Sequence, residues 1–356
     1  MKVGIIGLPQ TGKKTLFQIL TGNEITDPSK AMKPVPGAAD ILDSRFNTLV
    51  DMYEPKKEAR ARLDLVLLPK MESENIAKGT IFRDIADMDA VCHVIRAFED
   101  DAVYHADGSV DAMRDFEMVN AELLMHDQIF VEKRIERLEA EVKKIKDEDK
   151  KKELVLMTRL KEHLEAEKPL RLLELGEDDK KMITSYPFIT LKKMVIAVNV
   201  GEDDVDNGDL LASFEDSCKA QDIEAMLVCA QMEAEIALLD TEEEKQEFLE
   251  DLGIKATALE VLTGLCLKSL NLISFFTVGT DEVRQWLVRK NATAPQAAGV
   301  IHSDLERGFI RAEVFTYADV TELGSEAEVK KAGKFNVEGK DYEVQDGDIL
   351  NIRFSV

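Results

Sequence analysis

Positive charge is in short supply in this chain. Its 46 lysines and arginines stand against 70 aspartates and glutamates, a net charge of -24 over 356 residues. Repulsion from phosphate therefore disfavours a nucleic-acid clamp spread over the whole surface, and any RNA contact has to be local. Cysteine is sparse too. Cys92, Cys218, Cys229 and Cys266 stand singly inside apolar runs, without the paired spacing of a disulfide framework or a zinc site, and read as reduced core thiols. The five histidines, His93, His105, His126, His163 and His302, form no ligand spacing. No Ser-His-Asp or paired-carboxylate arrangement is legible, so other hydrolytic chemistry has no support. The single tryptophan, Trp286, reads as packing. Long hydrophobic runs are missing as well. The apolar residues 3–6 are too few for the core of a signal peptide and far too few to span a bilayer, so a cytoplasmic protein without a membrane partner is expected.

What is present is globular. Hydrophobic residues make up 45% and charged residues 33% of the sequence, close to the average of folded domains, and the length admits two or three of them. Residues 3–6 end at Gly7, and Leu16, Phe17, Ile19 and Leu20 follow at helical spacing, which gives strand, glycine loop, helix. Further buried strands are predicted at 63–68, 90–95, 194–198 and 225–229, with helices between them. That alternation indicates an α/β nucleotide-binding domain with a mostly parallel sheet covered on both faces. The rhythm breaks over about 116–184. There Ile129, Ile135, Leu138, Val142 and Ile145 lead into a charged stretch at 143–152, and Leu154, Leu160, Leu164, Leu170 and Leu173 line a returning helix, so a helical hairpin is expected. Lys143, Lys144, Lys146, Lys150, Lys151 and Lys152 make its tip locally basic, with Asp147, Glu148 and Asp149 among them. The tip reads either as a solvated end or as an RNA-facing one. After Leu272 short strand-like runs at 273–277, 309–314 and 349–354 indicate a separate small α+β domain.

Gly7-Leu8-Pro9-Gln10-Thr11-Gly12-Lys13 matches G-x-x-x-x-G-K between a predicted strand and helix. Its glycines let backbone N–H groups converge on a β-phosphate, the helix N-terminus adds its positive dipole end, and the Lys13 ammonium reaches the β- and γ-phosphates. The motif next expects a Ser or Thr that ligates Mg²⁺. This chain has Lys14, which cannot, and Thr15 one position later, directed toward an α-phosphate. Lys14 either points to solvent and weakens metal affinity, or partly replaces the cation. Binding of Mg²⁺ is therefore doubtful.

Several blocks resemble the YchF, or Obg-like ATPase, family of translation-factor-related P-loop proteins. The family's loop reads G-L-P-N-V-G-K-S-T. Residues 89–100, Asp107-Gly-Ser-Val-Asp111, 132–137, Glu233-Ala-Glu235 and 244–252 are similar to further family segments, and 292–302 with 308–313 resemble its C-terminal TGS domain, a β-grasp module. The resemblance implies a nucleotide-binding domain of residues 1–117 and 185–271, a coiled-coil hairpin of 118–184 and a TGS domain of 272–356. It implies association with the ribosome or ribosomal RNA through the hairpin tip and the TGS domain. It also implies ATP or ADP as ligand, with GTP or GDP admissible. Where guanine-specific relatives use N-K-x-D, this chain has Asn199-Val200-Gly201-Glu202, similar to the family's N-x-x-E, and Cys229-Ala230-Gln231 stands at the S-A-K-like loop that brackets the base. The cofactor-binding set is thus Pro9, Gln10, Thr11, Gly12, Lys13, Lys14, Thr15, Asn199, Val200, Glu202, Cys229, Ala230 and Gln231.

Between Asn23 and Met88 the resemblance is thin, and the two switch segments belong there. The family's D-x-A/P-G places either Asp64, or Leu67 with Lys70, at aspartate and glycine. The glycine is lost in both registers, so γ-phosphate sensing is expected to be weak. Three functions follow: a YchF-like nucleotide binder with little hydrolysis; a working Mg²⁺-dependent switch whose ligands are Thr26, Asp27 or Asp64; or a nucleotide-independent adaptor.

Overall fold

Val3, Ile5 and Ile6 are fully buried, as are the seven residues of Ala90–Arg96, so these strands need cover on both faces, the condition of a parallel sheet. The computed structural model describes residues 1–25, 33–105, 108–144, 147–239, 241–251, 254 and 256–355. Its strands are β1 (Lys2–Ile6), β2 (Val35–Asp40), β3 (Glu58–Ala59), β4 (Arg62–Leu67), β5 (Ala90–Arg96), β6 (Lys193–Asn199), β7 (Ile223–Val228), β8 (Leu272–Thr277), β9 (Val283–Arg289), β10 (Phe309–Thr316), β11 (Asn336–Glu338) and β12 (Asp348–Phe354). The chain divides into two compact units, one of residues 1–38 and 64–265, the other of 39–63 and 266–356.

The first unit is built on a sheet of order β2-β4-β1-β5-β6-β7. β1 runs parallel to both β4 and β5, and β5, β6 and β7 continue in parallel. Strand order reverses at β1, and the crevice beyond the carboxyl ends of such strands is where an open α/β sheet takes its ligand. The expected hairpin is in the same unit: helix Ala112–Lys144 turns and returns as Glu148–Glu165. It packs through Val131, Leu138, Leu156, Met157, Leu160 and Leu164. Asp127, fully buried, anchors its exit: the carboxylate accepts from the backbone N–H of Ile189 and Thr190 and from the Thr190 hydroxyl at 2.7–3.1 Å.

One detail of the hairpin differs from the sequence expectation, and another bears on its tip. The returning helix stops at Glu165, because Glu167 takes a left-handed backbone (φ 58°) and Pro169 follows. Leu170 therefore lies in a separate 3-10 turn, Leu170–Leu172, and Leu173 just after it. Three lysines of the tip are paired with carboxylates. Lys150 pairs with Glu141 at 2.9 Å, Lys151 with Glu148 at 2.7 Å and Lys152 with Asp149 at 3.7 Å, which favours a solvated end. Ile145 and Lys146 lie outside the described residues.

In the second unit a sheet of order β11-β10-β12-β8-β9-β3 has cores on both faces. Side chains alternate across a strand, so the neighbours Phe275 and Phe276 enter different cores. Phe275 packs with Ala294, Ala297 and Ala298, and Phe276 with Phe46, Leu49, Phe315 and Ile349. The sequence reading assigned residues 39–63 to the nucleotide-binding domain. Here helix Ser44–Tyr53 and β3 complete the C-terminal unit, because Phe46 and Leu49 find their apolar partners there.

Candidate nucleotide site

The phosphate loop leaves β1 at its carboxyl end, and two of its glycines are required by space. A Cβ on Gly7 would stand 2.5 Å from the Val94 carbonyl oxygen, and one on Gly12, whose φ is +84°, would stand 2.2 Å from Asn199 Nδ2. Gln10 is also left-handed, with φ 64°. Thr11 is buried and its hydroxyl donates to Leu8 O at 3.2 Å. Lys13 is buried, and its ammonium donates to Gly7 O and Pro69 O, both at 3.0 Å. Burial, and then the positive charge of Lys70, lower the Lys13 pKa to about 7, with Glu72 opposing. Beneath it lies His93, wholly buried, with Nδ1 unpartnered among the described residues. Burial, and then Lys13, lower the His93 pKa to about 3, so the ring is neutral. This cradle fits a phosphate chain: it has space only for backbone and one ammonium awaiting a better counter-charge than two carbonyls.

Asn199 ends β6 and fastens three segments. Its Nδ2 donates to Thr11 O at 3.1 Å, its Oδ1 accepts from Ala230 N at 3.0 Å, and its own carbonyl accepts from Ala97 N and Phe98 N. Val200, buried beside it, donates to Val228 O. Phosphate loop, base-motif strand and the Cys229 loop are thereby held in one register. Gly12, Thr15, Asn199, Val200, Glu202, Cys229, Ala230 and Gln231 line a cavity of about 780 Å³. Glu202 is exposed at the start of a 3-10 turn, Glu202–Asp204, and burial raises the Cys229 thiol pKa. Pro9, Gln10 and Thr11 of the adjoining loop, and Lys13 and Lys14 at the start of helix Lys13–Thr21, are not among the lining residues; Lys14 and Thr15 are both exposed.

The far wall was not legible as a site. Phe98, Glu99, Asp100, Val103 and Leu238 also line the cavity. The 98–103 segment is held by Arg96, which is buried at the end of β5. Its guanidinium donates to Phe98 O at 3.1 Å and Val103 O at 2.9 Å and lies 4.5 Å from the Phe98 ring centroid. The sequence signal was the run Arg96-Ala-Phe-Glu-Asp100, noted as resemblance and given no role.

Among the described residues, those at the phosphate loop do not fit the magnesium site of a P-loop hydrolase. The position of the ligating hydroxyl holds Lys14. Asp64, a candidate ligand, pairs with Lys2 at the start of β1, at the opposite end from the phosphate loop, and lies 3.6 Å from the N-terminal amine. At the phosphate-loop end of β4, Leu67 lies opposite Ile5, Leu68 N donates to Ile5 O and Met71 N to Gly7 O. That brings Leu67 and Lys70, not Asp and Gly, to the loop. Thr26 and Asp27 lie outside the described residues. Among the described residues no helix is long and apolar enough to cross a membrane.

Comparison with known proteins bears on the family and the fold. Residues 272–355 match the family model YchF-GTPase_C, described as a protein of unknown function (DUF933). The chain is 40% identical to the ribosome-binding ATPase YchF of Bacillus subtilis over 366 positions, all of both chains. It is 36% identical to Obg-like ATPase 1 of Caenorhabditis elegans, over all of this chain and 92% of that one. The Schizosaccharomyces pombe YchF GTPase superposes with a TM-score of 0.85 at 29% identity, over 99% of this chain and 97% of its own. A GTP-binding protein of Pyrococcus horikoshii, at 0.60 and 19% over both whole chains, shares the fold.

Proposed function

Because the chain belongs to the YchF, or Obg-like ATPase, family, we propose that it is a ribosome-associated cytoplasmic factor that binds a purine nucleotide, ATP or ADP in preference to GTP or GDP, and hydrolyses it weakly or not at all. The observation that carries this reading is the joining of the phosphate loop to the base cavity by Asn199. Lys13 and the loop N–H groups hold the β- and γ-phosphates, Thr15 faces the α-phosphate, and the base lies between Phe98 and the 229–231 loop. Glu202 replaces the shorter aspartate that pairs with guanine's two donors, which removes the reason for guanine selectivity and admits adenine. Bound nucleotide supplies the triphosphate whose γ-phosphoryl group a hydrolase would transfer. That transfer depends on positioning and charge stabilisation. Loss of one electrostatic donor alone costs on the order of 10²–10³ in rate, and here the hydroxyl ligand, the aspartate and the glycine are all replaced.

Calorimetric titration with ATP, ADP, GTP and GDP tests the reading. Adenine nucleotides are expected to bind more tightly than guanine nucleotides, and Lys13→Ala to weaken all of them. Equal silence toward every nucleotide would favour an adaptor. Ribosome association is expected as co-sedimentation of the protein with ribosomes in a sucrose gradient.

A further inference from the structure

The mismatch between this site and magnesium has a pattern of its own. Two positions that are neutral in a P-loop hydrolase, the hydroxyl after the motif lysine and the switch glycine, are both lysine here, Lys14 and Lys70. Together they carry two positive charges, the charge of a magnesium ion: Lys14 stands where a metal-ligating hydroxyl would, and Lys70 where a glycine N–H would meet the γ-phosphate. The chain as a whole has a net charge of -24, so adjacent Lys13 and Lys14, with Lys70 close enough to disfavour the charge on Lys13, run against its composition.

The backbone places Lys70 at the loop directly. The residue before it, Pro69, accepts from Lys13 Nζ at 3.0 Å, and the residue after it, Met71, donates to Gly7 O at 3.2 Å. Its own carbonyl is held by Asn75 Nδ2 at 2.9 Å. Lys70 is thus bracketed by two contacts to the phosphate loop, with an exposed side chain free to turn toward a ligand. Lys14 follows Lys13 at the first turn of helix Lys13–Thr21 and is exposed as well. Lysine is a compact cation on a flexible stem with three donors. It can neutralise phosphate oxygens without the octahedral oxygen cage that Mg²⁺ demands.

We propose that Lys14 and Lys70 take the place of the metal ion, so that this site binds a nucleoside triphosphate without a divalent cation, Lys70 reading the γ-phosphate and Lys14 the β–γ bridge. The proposal rests on the nucleotide-binding reading above. It is tested by calorimetry of the full chain with ATP and with ADP, in EDTA and in magnesium, for the native protein, Lys70→Ala, Lys14→Ser and Lys13→Ala. Thermal melts check that each variant is folded.

The native protein is expected to bind ATP in EDTA as tightly as in magnesium, and more tightly than ADP. Lys70→Ala should weaken ATP by about ten- to a hundredfold, the range of a hydrogen bond to a charged group, and ADP much less. Lys14→Ser should make ATP binding magnesium-dependent. If ATP binds only with magnesium, or if a folded Lys70→Ala loses ATP and ADP equally or neither, the lysines do not replace the metal, although nucleotide binding stands. Absence of binding to the native protein under every condition would remove the nucleotide reading itself, and this proposal with it.

Discussion

At the scale of single residues, Lys13 makes the site sensitive to pH. Without ligand its pKa is held at about 7 by burial and by Lys70, with neutral His93 adding no charge; a phosphate chain favours the ammonium and raises that pKa. Below about 7 the lysine is already charged, so affinity is flat with pH. Above it, binding must take up a proton, and affinity falls by about tenfold per pH unit until the bound pKa is reached. Titration in two buffers of different ionisation enthalpy at pH 8 should report uptake approaching one proton, and Lys13→Ala should abolish it. Asn199 acts as a fastener between loops. Replacing it by alanine leaves Thr11 O and Ala230 N without their partner. A loss of roughly 2 kcal/mol in stability is expected, read as a lower urea midpoint, along with weaker nucleotide binding.

At the scale of elements, burial decided what could be read from the sequence. β1, β5, β6 and β7 are continuous apolar runs bounded by turn residues, and they stand within two residues of where the pattern puts them. β2 was hidden because Pro36 and Gly37 punctuate it. Gly37 is there for close packing, since a Cβ would meet Phe17 and Thr21 at 2.8 Å. β9 was hidden because Gln285 stands at a core position, where a polar residue argues against burial. It is satisfied by Ser274 Oγ at 3.0 Å and Ala61 N at 3.3 Å, pairings that join distant segments and leave no local signal. The hairpin's seam was legible, but its anchor was not. Asp127 looks like one more surface carboxylate on a charged helix until the 189–190 backbone closes on it. Asp127→Ala is expected to cost about 3 kcal/mol and to shift thermal unfolding downward, whereas Glu139→Ala, at an exposed position of the same helix, should leave it nearly unchanged.

At the scale of the whole molecule, each half of the candidate site had a different legibility. The phosphate loop is a contiguous motif readable from the chain alone, whereas Asn199-Val-Gly-Glu202 departs from N-K-x-D and is legible only through the family resemblance. The Phe98 and Val103 wall depends on buried Arg96, which gathers the carbonyls of 98 and 103. The register that brings Lys70 to the loop needed the β1–β4 pairing. Segment 39–63 likewise had no sequence mark of belonging to the C-terminal unit. Phe46→Ala should therefore destabilise that unit by about 3–5 kcal/mol, with hydrogen exchange accelerating in β8, β10 and β12 while β1 and β5 keep their protection. The central claim is that this chain keeps a nucleotide site while lacking the parts that turn it over. The most direct test is to incubate the protein with ATP and magnesium, isolate the complex, and analyse both the bound nucleotide and the phosphate released over hours. Intact ATP on the protein with no more phosphate than Lys13→Ala releases is the predicted result; steady phosphate release that is lost in Lys13→Ala would contradict it.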